Sequence, residues 1–232
     1  MKIALIGYGA MGKLIQTLAV GKGHEIAVII DESDANLFPG EVAEKLKGCD
    51  VAIDFTTGMA VPRNVEACVK AGIPVVVGTT GWHEERVLIE KIVKEGNGAM
   101  VYGANFSIGV NLFYKLAEYA AKLFAKFPEY EIFIEEQHHS RKKDAPSGTA
   151  LKIKEVVSKH AETGEIAVTR AGHIPGTHRV GFDGPADHIL LAHTARSREG
   201  FALGAIMAAE WIVGKKGFYE FTEVIGDVGE AR

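Results

Sequence analysis

Short apolar runs recur about every 24 residues in the amino-terminal part of the chain: Lys2–Ile6, Glu25–Ile30, Asp50–Asp54, Ile73–Val77 and Ala99–Tyr102. Helical patterns fill the gaps, with Leu14, Ile15, Leu18 and Ala19 in one and Val65, Ala67, Cys68 and Val69 in another. Strands alternating with helices at this spacing predict βαβ units and a parallel sheet covered on both faces. The first strand-to-helix turn reads Gly7-Tyr8-Gly9-Ala10-Met11-Gly12, and Asp31 closes the second run. In that setting the glycines allow a tight turn and bring a pyrophosphate close to a helix N-terminus. The acid then accepts a hydrogen bond from a ribose. A dinucleotide site follows. A 2′-phosphate would need a cation at the end of the second strand, where the chain carries Asp31-Glu32-Ser33-Asp34.

After Ser107 the pattern changes. Val110 to Phe127 reads as one long helix, with Leu112, Phe113, Leu116, Ala117, Ala120, Leu123, Phe124 and Phe127 as its core side. A strand from Tyr130 to Gln137 follows, Ile132 and Ile134 on one face and Phe133 on the other. Two histidines and a cluster of cations come next, His138-His139-Ser140-Arg141-Lys142-Lys143. Then Asp144-Ala145-Pro146-Ser147-Gly148-Thr149 turns into a helix running from Thr149 to His160. Ser147 or Thr149 is its cap, and Leu151, Ile153, Val156 and Val157 form its apolar side. A helix N-terminus favours an anion. Cations and a proton carrier beside one describe a pocket for a small carboxylate that must also receive a proton. Further β-like runs, Ile166–Arg170, His178–Phe182 and His188–Thr194, predict an antiparallel or mixed sheet with an exposed face that invites self-association. A last helix opens at Ser197 and runs to Val213.

Composition narrows the field. A net charge of −4 with 24% charged residues gives no reason to expect nucleic acid or an anionic membrane as a partner. No apolar run approaches the roughly 20 residues that span a bilayer, and Met1-Lys2 passes into the first strand without the segment a signal peptide would need. Cys49 and Cys68, far apart and outside any Cys-x-x-Cys spacing, read as reduced thiols of a cytoplasmic protein. No cluster shows metal-ligand spacing along the chain, so no metal is expected.

The stretch from Glu136 to Ala150 closely resembles the signature E-x-H-H-x-x-K-x-D-A-P-S-G-T-A of the 4-hydroxy-tetrahydrodipicolinate reductase (dihydrodipicolinate reductase) family. The likeness extends over nearly the whole chain. Gly78-Thr79-Thr80-Gly81 and Gly103-Ala104-Asn105-Phe106-Ser107 stand where the family carries G-T-T-G and A-N-F-S, and Ser197 to Ala205 resembles its S-R-x-x-F-A-x-G-A. The resemblance implies an α/β fold: a Rossmann-type nucleotide domain (1–106 and 199–232) with an inserted α+β substrate and oligomerisation domain (107–198). It implies His138 as proton donor and Lys142 as second donor, with His139, Gly148 and Thr149 on substrate. It places Gly78, Thr79, Thr80, Gly103, Ala104, Asn105 and Phe106 around the nicotinamide half, and Gly7 to Gly12 with Asp31 around the remainder. Arginines that the family often carries after the acid and after the third strand are replaced by Glu32 and Thr57. Lys13 is then the nearest remaining cation, and the reading leans to NADH while leaving NADPH open. A homotetramer is a further implication. The segment Arg170 to His178 departs from the pattern, because it compresses a longer family segment. Another nicotinamide-dependent dehydrogenase, or a non-catalytic NAD-binding sensor, would share the glycine loop without needing the loop from His138 to Thr149.

Overall fold

The computed structural model describes residues 1–230. In chain order the elements are β1 (Lys2–Ile6), α1 (Ala10–Gly21), β2 (Glu25–Ile30), α2 (Pro39–Leu46), β3 (Val51–Asp54), α3 (Val61–Ala71), β4 (Val75–Val77), α4 (Arg86–Glu95), β5 (Ala99–Tyr102), α5 (Ile108–Phe124) and β6 (Glu131–His138). These are followed by α6 (Gly148–Ser158), β7 (Ala167–Arg170), β8 (Thr177–Asp183), β9 (His188–Thr194), α7 (Glu199–Ile212), β10 (Gly217–Glu220) and α8 (Phe221–Glu230). The chain divides into two units, Met1–Ile108 with Glu199–Arg232, and Gly109–Arg198.

The first unit is a parallel sheet in the order β10-β5-β4-β3-β1-β2. Successive residues of a strand point to opposite faces, so a strand covered on both sides must be apolar throughout. Ile3, Leu5, Val51 and Ile53 join Ala205, Ile206 and Val224 in one cluster. Ala4, Ile6, Ala52, Val75 and Val77 join Val42, Val65, Cys68 and Ile89 in the other. Strand β10 and helix α8 lie beyond what periodicity predicts. Gly217-Phe218-Tyr219-Glu220 carries too few apolar residues to read as a core strand, and it needs few, because it is a half-buried edge paired with β5 alone.

The second unit is a mixed sheet in the order β7-β6-β8-β9, with β7 parallel to β6 and the other pairs antiparallel. Helices α5 and α6 pack Phe113, Ala117, Ala121, Ile153 and Val157 against Ile132, Ile134, Val180 and Phe182. On the far face Phe133 lies over Gly181, its partner in the ladder, where a Cβ would come within 2.1 Å of the ring. Two corrections apply here. Helix α5 stops at Phe124, short of Phe127. Of its predicted core side, Leu112, Leu116, Leu123 and Phe127 are exposed, as is Leu151 of α6. A sheet buries one side of a helix, and the spacing of α5 holds two apolar sides. Among the described residues no helix is long and apolar enough to cross a membrane.

Close packing of α7 in the first unit rests on Gly204, where a Cβ would fall 1.8 Å from the Phe106 carbonyl oxygen. Backbone cannot yield as a flexible side chain can. Gly204→Ala is therefore expected to lose about 1–3 kcal/mol, whereas Gly40→Ala in α2, with open space around it, should gain about 0.4–1 kcal/mol. Urea unfolding of both variants checks this, and equal effects would mean the α7 contact is not tight.

Candidate active site

The glycine turn between β1 and α1 is shaped by close approaches. Gly7 has φ +91, and a Cβ there would lie 2.3 Å from the Phe55 carbonyl oxygen. A Cβ on Gly12 would meet the Gly7 carbonyl oxygen at 2.2 Å, so the helix can seat against the turn only without one. Around Gly9, by contrast, a Cβ would meet nothing within 4 Å. Gly9 is also the residue before the first turn of α1 and offers that turn no side-chain cap. First-turn N–H groups with an open approach fit a pyrophosphate.

The loops after β3 and β4 are locked to each other through Asp54, which is fully buried. Its Oδ1 accepts from Thr56 N (3.0 Å), Thr56 Oγ1 (2.8 Å) and Thr79 Oγ1 (2.7 Å), and its Oδ2 from Asn64 Nδ2 (2.8 Å). Burial raises the pKa of this carboxyl against the pull of those donors. Thr79 also accepts from Thr56 N at 2.7 Å, so its hydroxyl faces the protein, and Thr80 is the exposed threonine of the pair. Gly58 brings the two loops together again, since a Cβ would lie 2.4 Å from the Gly81 carbonyl oxygen. Phe106 is buried, with its ring 4.6 Å from that of Phe221, while Ala104 is exposed.

At the end of β2, Asp31 and Glu32 are exposed. Folding brings two cations to this loop that linear spacing does not reveal. Lys45 pairs with Asp34 and holds its carboxyl below the usual range. Arg63 donates to the carbonyl oxygens of Asp34 and Ala35 and to Asn64 Oδ1. Both are taken. Lys13 is exposed, 5.7 Å from the centre of the Tyr8 ring.

In the second unit the period of β6 puts Ile132, Ile134, Glu136 and His138 on one buried face. Register sets Glu136 opposite His178 of β8, and His138 opposite Arg170 of β7. Glu136 is 1% exposed. Its Oε1 accepts from Ser147 N (2.9 Å) and the Arg170 guanidinium (2.6 Å), and its Oε2 lies 2.9 Å from His138 Nδ1 without hydrogen-bond alignment. Burial would raise the Glu136 carboxyl, but the donors of Ser147 and Arg170 outweigh it and hold it low. Burial lowers the His138 pKa, with Lys142 and Arg170 adding to the fall and Glu136 opposing it. His178, edge-on to His138 with centroids 5.1 Å apart, is pushed down to about 4, mainly by burial.

Ser147 caps α6, its hydroxyl accepting from Ala150 N at 3.2 Å and lying 3.2 Å from His178 Nε2. Gly148 and Thr149 form the first turn behind it, and Thr149 hydrogen-bonds Tyr114. Of the three successive cations, Arg141 and Lys143 are exposed and Lys142 is half-buried, its Nζ 2.8 Å from Asp144 Oδ1. His139 is half-buried too. Glu136, His138, Lys142, Ser147, Arg170 and His178 thus share one neighbourhood. Sequence reading missed Glu136, Arg170 and His178 as members. The signal for Glu136 was present, because strand alternation puts this acid on the face of Ile132 and Ile134. The donor atoms of Glu136, His138 and His178 lie within 4.8 Å of one another, a grouping that spacing along the chain did not reveal.

A glycine-turned parallel sheet in one unit and a mixed sheet in the other define the class, a Rossmann-type α/β protein. A family model described as dihydrodipicolinate reductase, N-terminus, matches residues 1–106, and one described as dihydrodipicolinate reductase, C-terminus, matches residues 109–225. The chain is 37% identical to the 4-hydroxy-tetrahydrodipicolinate reductase of Christiangramia forsetii, covering 98% of this chain and 99% of that protein. It is 36% identical to the protein of the same name from Archaeoglobus fulgidus, covering 97% and 100%. Among solved structures, the dipicolinate-bound dihydrodipicolinate reductase from Paenisporosarcina sp. TG-14 shares the fold at a TM-score of 0.77 and 22% identity, covering 95% of this chain and 97% of that one. A probable dehydrogenase from Thermotoga maritima does so at 0.60 and 12%, covering 97% and 93%. The chain belongs to the dihydrodipicolinate reductase family.

A histidine buried in its neutral form costs stability at acid pH, because the unfolded chain takes up the proton that the folded one refuses. For His178 the window runs from the ordinary histidine value of 6.5 down to about 4. Over that fall the stability of His178→Gln relative to the parent should improve by on the order of 3 kcal/mol. Denaturant titrations at a series of pH values check it, and a difference independent of pH would mean that His178 is free to charge.

Proposed function

We propose that this chain is a 4-hydroxy-tetrahydrodipicolinate reductase. Its reaction converts 4-hydroxy-tetrahydrodipicolinate, a nicotinamide nucleotide in its reduced form and a proton into tetrahydrodipicolinate, the oxidised nucleotide and water, in diaminopimelate and lysine synthesis. The observation that carries this reading is the seat of the signature loop. His138 stands buried at the end of β6, Lys142 alone of its three-cation run turns inward, and α6 begins at Ser147 behind them.

The bound nucleotide supplies hydride from nicotinamide C4. We assign its site to the unit containing residues 1–106 and 199–232. Gly7, Tyr8, Gly9, Ala10, Met11 and Gly12 receive the pyrophosphate and Asp31 the ribose. Gly78, Thr79, Thr80, Gly103, Ala104, Asn105 and Phe106 hold the nicotinamide half, Thr79 by fixing its loop through Asp54. Residues 107–198 take the small dicarboxylate and build the oligomer. Gly148 and Thr149 meet a carboxylate at the start of α6, where N–H groups favour an anion. His139 contacts substrate, and Lys142 is a compact cation beside it. His138 gives up the proton that relieves the electron density left by the hydride, the work of a general acid. Substrate charge matters here. In the free protein burial and nearby cations lower the His138 pKa against the pull of Glu136, and an arriving dianion favours the charged form, so substrate binding promotes protonation.

NADH is the preferred nucleotide in this reading. Asp31 and Glu32 face solvent, and the cations near them, Lys45 and Arg63, are already engaged. We further propose a cytoplasmic homotetramer. Exposed Leu112, Leu116 and Leu123 on α5, with Ile189 and Leu190 on β9, supply apolar surface for self-association.

Oxidation of NADH, followed with a synthase generating substrate in the cuvette, should be strong. It should fall by about 10²–10⁴-fold in His138→Gln and in Lys142→Ala. NADPH should be poorer by about tenfold in kcat/KM, the effect of ~1.4 kcal/mol. Turnover that survives both substitutions would remove these residues from the chemistry. A folded protein that binds NADH and turns over with neither nucleotide would leave a sensor as the better account.

A further inference from the structure

The two nitrogens of His138 face different surroundings. Nδ1 lies 2.9 Å from Glu136 Oε2. Nε2 is directed at Gly176, where a Cβ would lie 3.1 Å from Nε2 and 3.2 Å from Cδ2. Gly176 has φ +120, a conformation that side chains resist, and it is buried. The glycine thus keeps clear the space beside the second nitrogen. Glu136 cannot swing away, because Oε1 is held by Ser147 N and by Arg170, which in turn donates to the carbonyl oxygens of Asp144 and Thr169. Ala171 N donates to the His138 carbonyl oxygen at 3.0 Å, fixing the backbone at the ring's root. His178 does not compete for Glu136. Its Nε2 stays 3.8 Å from Oε2 and lies closer to the Ser147 hydroxyl, at 3.2 Å.

We propose that Glu136 is the positioning residue of the proton donor: it keeps the proton on Nδ1 of His138, so that Nε2, in the space left by Gly176, is the atom that delivers. The inference rests on the reading of His138 as the donor. In the step itself the Nε2–H bond of the imidazolium breaks and a C–H bond forms at the substrate carbon made electron-rich by hydride. The ring is left neutral with its Nδ1–H still towards Glu136, and solvent returns the proton to Nε2. The compressed segment from Arg170 to His178 is then a working part of the site. It supplies the anchor of Glu136, the glycine beside Nε2 and the ring edge-on to His138. The same three donors, Glu136, His138 and His178, also have the composition of a cation site. Arg170 on Glu136 and the nearby Lys142 oppose a cation there, and Glu136 is better accounted for as a partner of imidazole.

The charged and titratable groups facing His138 are Glu136 on its own strand, Lys142 and Asp144 from the following loop, Arg170 from β7 and His178 from β8. Asp144 is paired with Lys142 and adds least, so Glu136 is the main anion that favours the charged ring. Activity needs that charged ring and is lost as pH rises through the donor's pKa. Glu136→Gln should therefore lose kcat by about 10–100-fold, in the range found for partners that orient a functional histidine, with KM little changed. Its alkaline limb should move to lower pH, and Glu136→Asp, which keeps the charge, should restore the limb more than the rate. Spectra of the parent enzyme with ¹⁵N-labelled histidine need no variant to fold. They should show neutral His138 protonated at Nδ1 and bare at Nε2. The opposite tautomer, or a Glu136→Gln enzyme with parental kcat and pH limb while His138→Gln is inactive, would overturn the role of Glu136 and leave the donor reading intact. An active His138→Gln enzyme would instead remove the donor reading. Loss of activity on chelation with recovery on adding zinc would give the three donors to a metal and overturn the proposal.

Discussion

A carboxylate taken out of water must be met by donors, and in both units of this protein the loops are arranged to meet one. Glu136 is enclosed at the end of β6, and the chain answers with a backbone N–H from the start of α6 and a guanidinium from β7, with an imidazole of its own strand 2.9 Å away. Leaving such a group unpaired costs several kcal/mol, so the fold cannot form with these partners elsewhere. The turn into α6, the end of β7 and the ring of His138 are placed together by that single requirement. Asp54 does the same in the parallel-sheet unit, gathering Thr56, Asn64 and Thr79 and thereby fixing two loops at the carboxyl ends of β3 and β4. In open α/β sheets those ends are where ligands sit.

Chemistry and stability therefore draw on the same atoms. On the proposed reading His138 must hold a proton before giving it up, and burial works against that. The nearby anion restores part of that capacity. Arg170 moderates the anion in turn, because a carboxylate shared with a guanidinium pulls less strongly on the histidine. On that reading the proton affinity of the ring is left open to what arrives beside it.

Much of this was legible in the amino-acid sequence. The strands β1 to β5 stand where the apolar runs place them, within two residues, because a strand buried on both faces has to be apolar throughout. Periodicity gave out in three places. The edge strand β10 carries little apolar signal because little is asked of it. Helix α5 is apolar on two sides, and nothing in a one-dimensional pattern tells which side the sheet will take. The seat of His138 needs register across three strands, so Arg170 and His178 could not be joined to Glu136 before the ladder was known. Which cation of Arg141, Lys142 and Lys143 turns inward was likewise a matter of the turn after His138, where Lys142 N bonds back to the His139 carbonyl oxygen.

That ladder sets what kind of length change the second unit can survive. Sliding β7 by one residue would carry Arg170 to the opposite face of the sheet, and sliding β8 would do the same to His178, since side chains alternate with a period of two. Between the two strands Ala171 and Gly176 are tied to the seat of His138, and the residues from His173 to Pro175 only bridge a gap. Length change is thus expected to be tolerated between Gly172 and Gly176 and refused in the strands, so that a shorter segment still keeps its arginine, its glycine and its histidine around the same ring.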